Sequence, residues 1–455
     1  MKNKPAAAVD MTQGPIFSKL VTVAIPLMAT AFLQMTHNLV DVFWLSRLST
    51  DAVAAGGGGG MYIWLSMAFL LIGRMGAEIG VSQNMGRGDI QAAQKYATNS
   101  YLIAWVLGTF FGVLLVVAHV PLVAFFAIED TYVVRLTEQY LIWIGFSMPF
   151  VYMKAVISGF YTGFGDTKTP FVMNTIGILL NIVLTPLFVF SWDMGVVGAA
   201  MSTTVAHVSS FFVFVLIIKT KKNTPFGKAF RLLQRPNKPQ IRQIFKWGIP
   251  VAWESALFTI LTMIALRLVA AFGTEALAAL RVGSQLEALS WLVGSAFASA
   301  TSTFIGQNWG AKNYDRLRQG FKISVYAMTI WGGAITIFLF ILAEPLSRIF
   351  FTDPFEIFLS VEHLRITALM QIAICLEGVA AGSFRGRGMT KHPSIISISC
   401  NIFRLIMCYI FSLHFGLVGI WWGFVVGSST RGFVMLGCYK FNSKKTLPTE
   451  SIQNR

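Results

Sequence analysis

Charge is scarce in this 455-residue chain: Asp, Glu, Lys and Arg make up only 12% of it, about half the ~25% usual for a soluble domain. With 55% of the residues hydrophobic, that scarcity excludes a soluble globular fold. Acids are the scarcer sign, 20 against 36 Lys and Arg, for a net charge of +16. Cysteine is limited to Cys375, Cys400, Cys408 and Cys438, all in apolar stretches of the second half. None forms a CxxC or a Cys/His set, so neither a disulfide framework nor a zinc site is indicated. The six His are scattered. Walker A is absent, because Gly227-Lys228 lacks both the upstream glycine and the following Ser or Thr, and nothing points to ATP as the direct driver. HExxH, Gly-x-Ser-x-Gly and a Cys/His nucleophile pair are absent too, so neither an enzyme nor a bound cofactor is expected.

Long apolar runs dominate instead. They predict spans near 18–42, 53–82, 97–120, 137–160, 171–190 and 196–218, then 247–271, 276–306, 321–343, 361–384, 393–414 and 417–439. They are too long for barrel strands and match or exceed the ~20 residues of a spanning helix. The fold class is therefore an all-α polytopic membrane protein of about twelve helices. The basic residues sit in alternate short connections and in a central linker holding Lys219, Arg231, Arg235, Lys238, Arg242 and Lys246, among others. The positive charge is thus a topology signal rather than a nucleic-acid footprint, and it places both termini and the linker in the cytoplasm. The first apolar run has no small-residue cleavage site nearby and reads as a retained helix. The expected organisation is an N-terminal half over 1–218, a basic linker over 219–246, a C-terminal half over 247–440 and a tail over 441–455.

The two halves repeat each other. Ile25-Pro26 recurs as Ile249-Pro250, Thr50–Ala55 as Thr274–Ala279, and Gln83-Asn84-Met85-Gly86 as Gln307-Asn308-Trp309-Gly310. Gly163–Pro170 recurs as Gly386–Pro393, and Gly195–Gly198 as Gly416–Gly419. Five matches in one order, displaced by 221 to 224 residues, define an internal repeat. Six helices per half is an even number, so the halves share one orientation about an axis along the membrane normal. That is a transporter architecture, with a substrate site between the halves. The Gln-Asn-x-Gly segments read as helix ends, with the Gly free to form a left-handed cap. The Gly-x-Gly-x-Thr-Lys-x-Pro segments read as tight turns, with Pro opening the next helix.

A charge at mid-bilayer costs at least ~2.5 kcal/mol, so each one needs a function or a partner. Asp41 falls near the extracellular end of span one, Glu254 four residues after Pro250 in span seven, Glu287 in span eight and Glu377 in span ten. These are the candidate cation-binding and coupling residues, and Glu254 is the candidate ligand for Na⁺. Lys154 and Arg404 are basic counterparts in spans four and eleven, and Asn181 aligns with Arg404 across the repeat. Lys154 and Glu377 each stand nine residues before the matching Gly163 and Gly386. They therefore hold equivalent positions with opposite charge, and a pair across the pseudo-twofold axis is expected in one conformation.

Ala24-Ile25-Pro26, Val40-Asp41, Gly248-Ile249-Pro250 with Glu254, Gly306–Ala311 and Gly382–Gly386 together resemble the MATE (multidrug and toxic compound extrusion) family, from about Leu20 to Lys440. The resemblance implies twelve helices in two V-shaped lobes. It further implies export of amphipathic, often cationic, compounds in exchange for Na⁺ or H⁺, with Asp41 and Glu254 as the carboxylates of helices one and seven. One departure stands out: after Asn181-Ile182-Val183-Leu184 comes Thr185, where members with an acidic pair in the first lobe carry Asp. That moves the expected coupling toward Glu254, Glu287 and Glu377, and leaves Lys154, Asn181, Thr185 and Arg404 as supporting polar or cavity residues. The expected partners are small organic substrates and membrane lipid, the expected state a monomer in a bacterial inner membrane. The alternative is a flippase of lipid-linked intermediates. It would need a basic cavity, which the mid-membrane acids oppose and Lys154, Arg267 and Arg404 favour.

Overall fold

The structure is a computed structural model that describes residues 9–48, 50–125, 130–220, 225–227, 230–232 and 234–446, without the side chains of 41, 42, 45, 46 and 50–59. Lys2, Lys4, Lys221, Lys222, Lys228 and the tail beyond Thr446 fall outside the described residues. Those described are almost wholly helical. The first half runs α1 (Ile16–Leu48), α2 (Thr50–Arg87), α3 (Ile90–Val117), α4 (His119–Ala124), α5 (Thr131–Phe164), α6 (Lys168–Pro186), a π-helical turn (Leu187–Ser191) and α7 (Gly195–Thr220). The second runs α8 (Lys238–Ala270), α9 (Thr274–Gly310), α10 (Tyr314–Ile341), α11 (Ala343–Phe350), α12 (Pro354–Ala368), α13 (Gln371–Gly386) and α14 (Lys391–Thr446).

Ten of these helices are long and apolar enough to cross a membrane among the described residues. The expected span over 361–384 is an eleventh, broken into α12 and α13 with a bend of 46°. At the break Leu369 and Met370 donate to the carbonyls of Ile366 and Thr367, a tightened last turn that ends α12. The twelfth comes from α14, which is two helices joined at Gly416, where φ is 59° and ψ −138°. Its repeat partner Gly195 has φ 55°.

The repeat is carried into local structure. Asp130 and Asp353 cap α5 and α12, each accepting an amide at 2.7 Å from two residues on, Tyr132 and Phe355. The short helices α4 and α11 that precede them were not expected from the apolar runs. The tight turns are confirmed: Gly165 and Gly388 take φ 94° and 77°, a left-handed geometry that a Cβ disfavours. Pro170 and Pro393 then sit in the first turn of α6 and α14. The Gln-Asn-x-Gly segments need a correction. Gly86 and Gly310 stay helical, and the left-handed residues are Gly88 (φ 77°) and Lys312 (φ 58°), two positions further on. The chain turns there because Asp89 and Asn313 donate back to the carbonyls of Asn84 and Asn308, at 3.0 and 2.9 Å.

Contacts divide the chain into two compact units, Met1–Asp10 with Ile25–Ala252, and Met11–Ala24 with Trp253–Arg455. In the first, α2, α3 and α5 pack on one another, α7 packs on α5 and α6 on α7. The described part of the linker is built into this unit: Phe226 is fully buried with its ring 4.7 Å from that of Phe160, and the Asn237 amide donates to Asn99 Oδ1 at 3.0 Å. In the second, α9 packs against α13, α10 and α12, and α14 covers α13 and α12. The α9–α13 contact is close because α13 presents Gly378, Gly382 and Gly386 at every fourth residue. A Cβ at Gly382 would stand 2.3 Å from the Ala298 carbonyl oxygen. Small residues at this spacing let helix backbones approach inside a membrane.

Candidate functional site

The second unit gathers its acids and bases into one network. Glu254 on α8 accepts a hydrogen bond from Ser394 Oγ at 2.8 Å, and Arg385 Nη2 lies 3.6 Å from the same oxygen. Pro250, one turn earlier, lacks an amide hydrogen, so it leaves the Lys246 carbonyl without its helical donor. Glu377 on α13 meets Arg431 Nη2 at 2.6 Å and has Ser397 Oγ at 3.5 Å. Arg431 also donates to Asn401 Oδ1 at 3.2 Å. Glu254 and Glu377 lie within electrostatic reach of each other, so two carboxylates and two guanidinium groups make a cluster of zero net charge. The four side chains are 13–25% exposed. Charges this far from water are tolerable only as pairs.

Glu287 lies elsewhere in this unit. Its Oε1 is 3.0 Å from His363 Nε2 on α12, close but not aligned for a hydrogen bond. His363 is 1% exposed, edge-on to Trp421 with ring centroids 4.4 Å apart. Arg404 stands over the rings of Phe258 and Phe424 at 5.6 and 5.7 Å, as guanidinium groups do when stacked on aromatic faces. It lies within electrostatic reach of Glu377, Glu287 and Arg431. Of the residues expected from the sequence, Glu254 and Glu377 are thus brought together, while Glu287 has a partner of its own.

The first unit differs. The side chain of Asp41 lies outside the described residues. Asn181 and Thr185 are buried in a neutral network: Asn181 Nδ2 donates to Thr203 Oγ1 at 3.1 Å, and Thr185 Oγ1 is 2.9 Å from Ser202 Oγ. Lys154 Nζ lies 3.1 Å from His207 Nδ1. The partners of Lys154 and Glu377 are therefore His207 and Arg431, each within its own unit. Sequence reasoning missed Arg431, His363, Arg385 and Ser394 as site residues, although the first three are ionisable groups in or beside apolar runs, the signal that could have found them.

The MatE family model matches residues 26–187 and 250–410, one segment in each half. The chain belongs to the MATE family of transporters. Among curated MATE relatives it is similar to the probable multidrug resistance protein NorM of Thermotoga maritima, 28% identical with 96% of each chain covered. It is also similar to the multidrug export protein MepA of Staphylococcus aureus, 21% identical with 97% of each covered. Among solved structures it is similar to an outward-facing multidrug resistance MATE transporter of the MOP superfamily, with TM-score 0.91, 21% identity and coverage of 97% and 99%. A MATE structure in a bent conformation matches with TM-score 0.90 at 22% identity, covering 98% and 100%. The MATE fold is thus present along nearly the whole chain, and the protein is a multi-pass membrane transporter, not an enzyme.

Proposed function

We propose that this MATE transporter exports amphipathic, cationic organic compounds such as drugs and dyes, in exchange for Na⁺ or H⁺, by alternating access. The observation that carries the reading is the neutral cluster of Glu254, Arg385, Glu377 and Arg431. A cation or proton that reaches Glu377 competes with Arg431 for the carboxylate. Neutralising the acid frees a guanidinium that then needs another partner, so ion occupancy and side-chain arrangement are linked. Glu254, held by Ser394 and Arg385, is the proposed carboxylate for Na⁺, with Asp41 and Glu287 as further coupling carboxylates. The NorM and MepA relatives, named for multidrug resistance and multidrug export, support this reading. The proposed setting is a bacterial inner membrane, with a monomer whose termini both face the cytoplasm and six-helix lobes over 1–218 and 247–440.

The test is ethidium efflux from liposomes holding the purified protein, with imposed Na⁺ or pH gradients, for wild type and Glu254→Gln. Efflux driven by one gradient and lost in the variant is expected, and it identifies the ion. No efflux under either gradient would sink the reading and turn attention to lipid-linked substrates.

A further inference from the structure

Among the described residues, Lys154 and His207 in the interior of the first unit have no acid paired with them. Lys154 on α5 and His207 on α7 are half-buried and 3.1 Å apart, and His37 on α1 is within electrostatic reach of His207. Among the described residues no carboxylate lies within ion-pairing distance of Lys154 or His207. The second unit shows the contrast. There the repeat equivalent of Lys154 is Glu377, and its contact on the last helix of the half is Arg431, so that unit neutralises itself. A lysine ammonium in a membrane-spanning helix is costly without a counter-charge, and here the chain supplies a histidine instead.

We infer that Lys154 and His207 form a recognition site for an anionic group, a carboxylate in the first instance, on the transported compound. The local chemistry fits. With Nδ1 accepting from the ammonium, the neutral ring of His207 carries its proton on Nε2, on the far side of the ring, and the ammonium keeps two hydrogens for an incoming carboxylate. Thr203, one helical turn before His207 on α7, continues the polar face and is tied to Asn181. An ammonium in low dielectric, oriented by the ring nitrogen it donates to, binds a carboxylate by a charge-assisted hydrogen bond. The preferred cargo is then a zwitterion, an amphipathic compound with a carboxylate as well as its cationic centre. This rests on the export reading for the ligand's role as cargo, though not for its binding.

The experiment is equilibrium binding to the full chain in lipid nanodiscs, with norfloxacin and its ethyl ester as probes. The two share a cationic amine and differ in the carboxylate. Wild type is expected to bind the acid about tenfold more tightly than the ester, the effect of one such contact. Lys154→Met should bring the acid-to-ester ratio close to one, and Lys154→Arg, which keeps the charge, should retain most of the preference. Equal binding of acid and ester to wild type, or a preference that survives Lys154→Met, would overturn the site. Loss of gradient-driven ethidium efflux with the acid preference intact would overturn the export reading and leave the anion site standing.

Discussion

Glu377 of the tenth span and Arg431 of the twelfth meet at 2.6 Å in the second unit. Lys154 and His207 join the matching helices of the first unit. The two halves thus place a contact between the same pair of helices but with different charge. Breaking the acid–base version from one side leaves a charge in low dielectric, which costs about 3–5 kcal/mol when burial is complete. With 13% and 15% exposure the cost is somewhat smaller. Arg431→Met should therefore lower the thermal midpoint in detergent by several degrees. The double variant Arg431→Met/Glu377→Leu should recover part of the loss, since no charge is stranded. Additive losses would show that the pair contributes nothing as a pair.

Ser394 is predicted to tune the ion affinity of Glu254. Its hydroxyl donates to the carboxylate at 2.8 Å, and hydrogen bonds to charged groups are worth about 1.5–3 kcal/mol. Ser394→Ala removes a donor that favours the ionised acid. Under the Na⁺ reading the carboxylate keeps its charge, and the half-saturating Na⁺ concentration for efflux should move less than about threefold. Under the H⁺ reading the carboxyl becomes easier to protonate, and the pH profile of efflux should shift to higher pH. In an H⁺-driven protein, a pH profile that stays fixed in Ser394→Ala would remove Glu254 from the coupling step.

The repeat, the span count and the tight turns were all legible in the sequence, because each depends on residues close together in the chain. Apolar length marks a span, and Gly165 and Gly388 mark turns that need positive φ. The acids Glu254 and Glu377 were legible for the same reason, as charges inside apolar runs. Their partners were not. Arg431 is 54 positions from Glu377 along the chain, and only the packing of α14 against α13 brings it near. The equivalence of Lys154 and Glu377 suggested that they pair with each other in one conformation, and it gave no hint of the contacts each makes within its own half, with His207 and with Arg431. The displaced left-handed residues Gly88 and Lys312 were hidden because the turn is set by backbone donation to Asn84 and Asn308, not by the glycine of the motif.

Glycine substitutions should separate packing from propensity. At Gly382 a Cβ would approach the Ala298 carbonyl oxygen to 2.3 Å, and backbone cannot yield there as a side-chain tip can. Gly382→Ala should lower the yield of folded protein and its thermal midpoint, and Gly382→Leu should abolish folding. At Gly333 and Gly437, in α10 and α14, a Cβ meets nothing within 4 Å. Alanine there should be neutral or stabilising by up to about 1 kcal/mol through helix propensity. Size-exclusion profiles and thermal scans of the three alanine variants would decide it, and a Gly382→Ala as stable as Gly333→Ala would mean that α9 and α13 are not in this close contact.

Gly283 and His363 should be strongly coupled. A Cβ on Gly283 would stand 2.1 Å from His363 Cδ2 and 2.4 Å from its Nε2, the nitrogen that faces Glu287. In Gly283→Ala the imidazole must move, so the variant carries the cost of overpacking, about 1–3 kcal/mol, and also loses the contact with Glu287. His363→Ala empties the space beside Trp421 and strands Glu287, a cavity and an unpaired charge together. In the double variant the new methyl points into the space the ring has left. The two losses should therefore fall short of their sum, by about 1–2 kcal/mol if the sites couple as neighbours in contact do. A double-mutant cycle on thermal stability measures this directly. Ethidium efflux on the same three variants shows whether Glu287 takes part in coupling: if it does, both single variants should transport less than their loss of folded protein explains, because in each the imidazole beside the carboxylate has moved or gone.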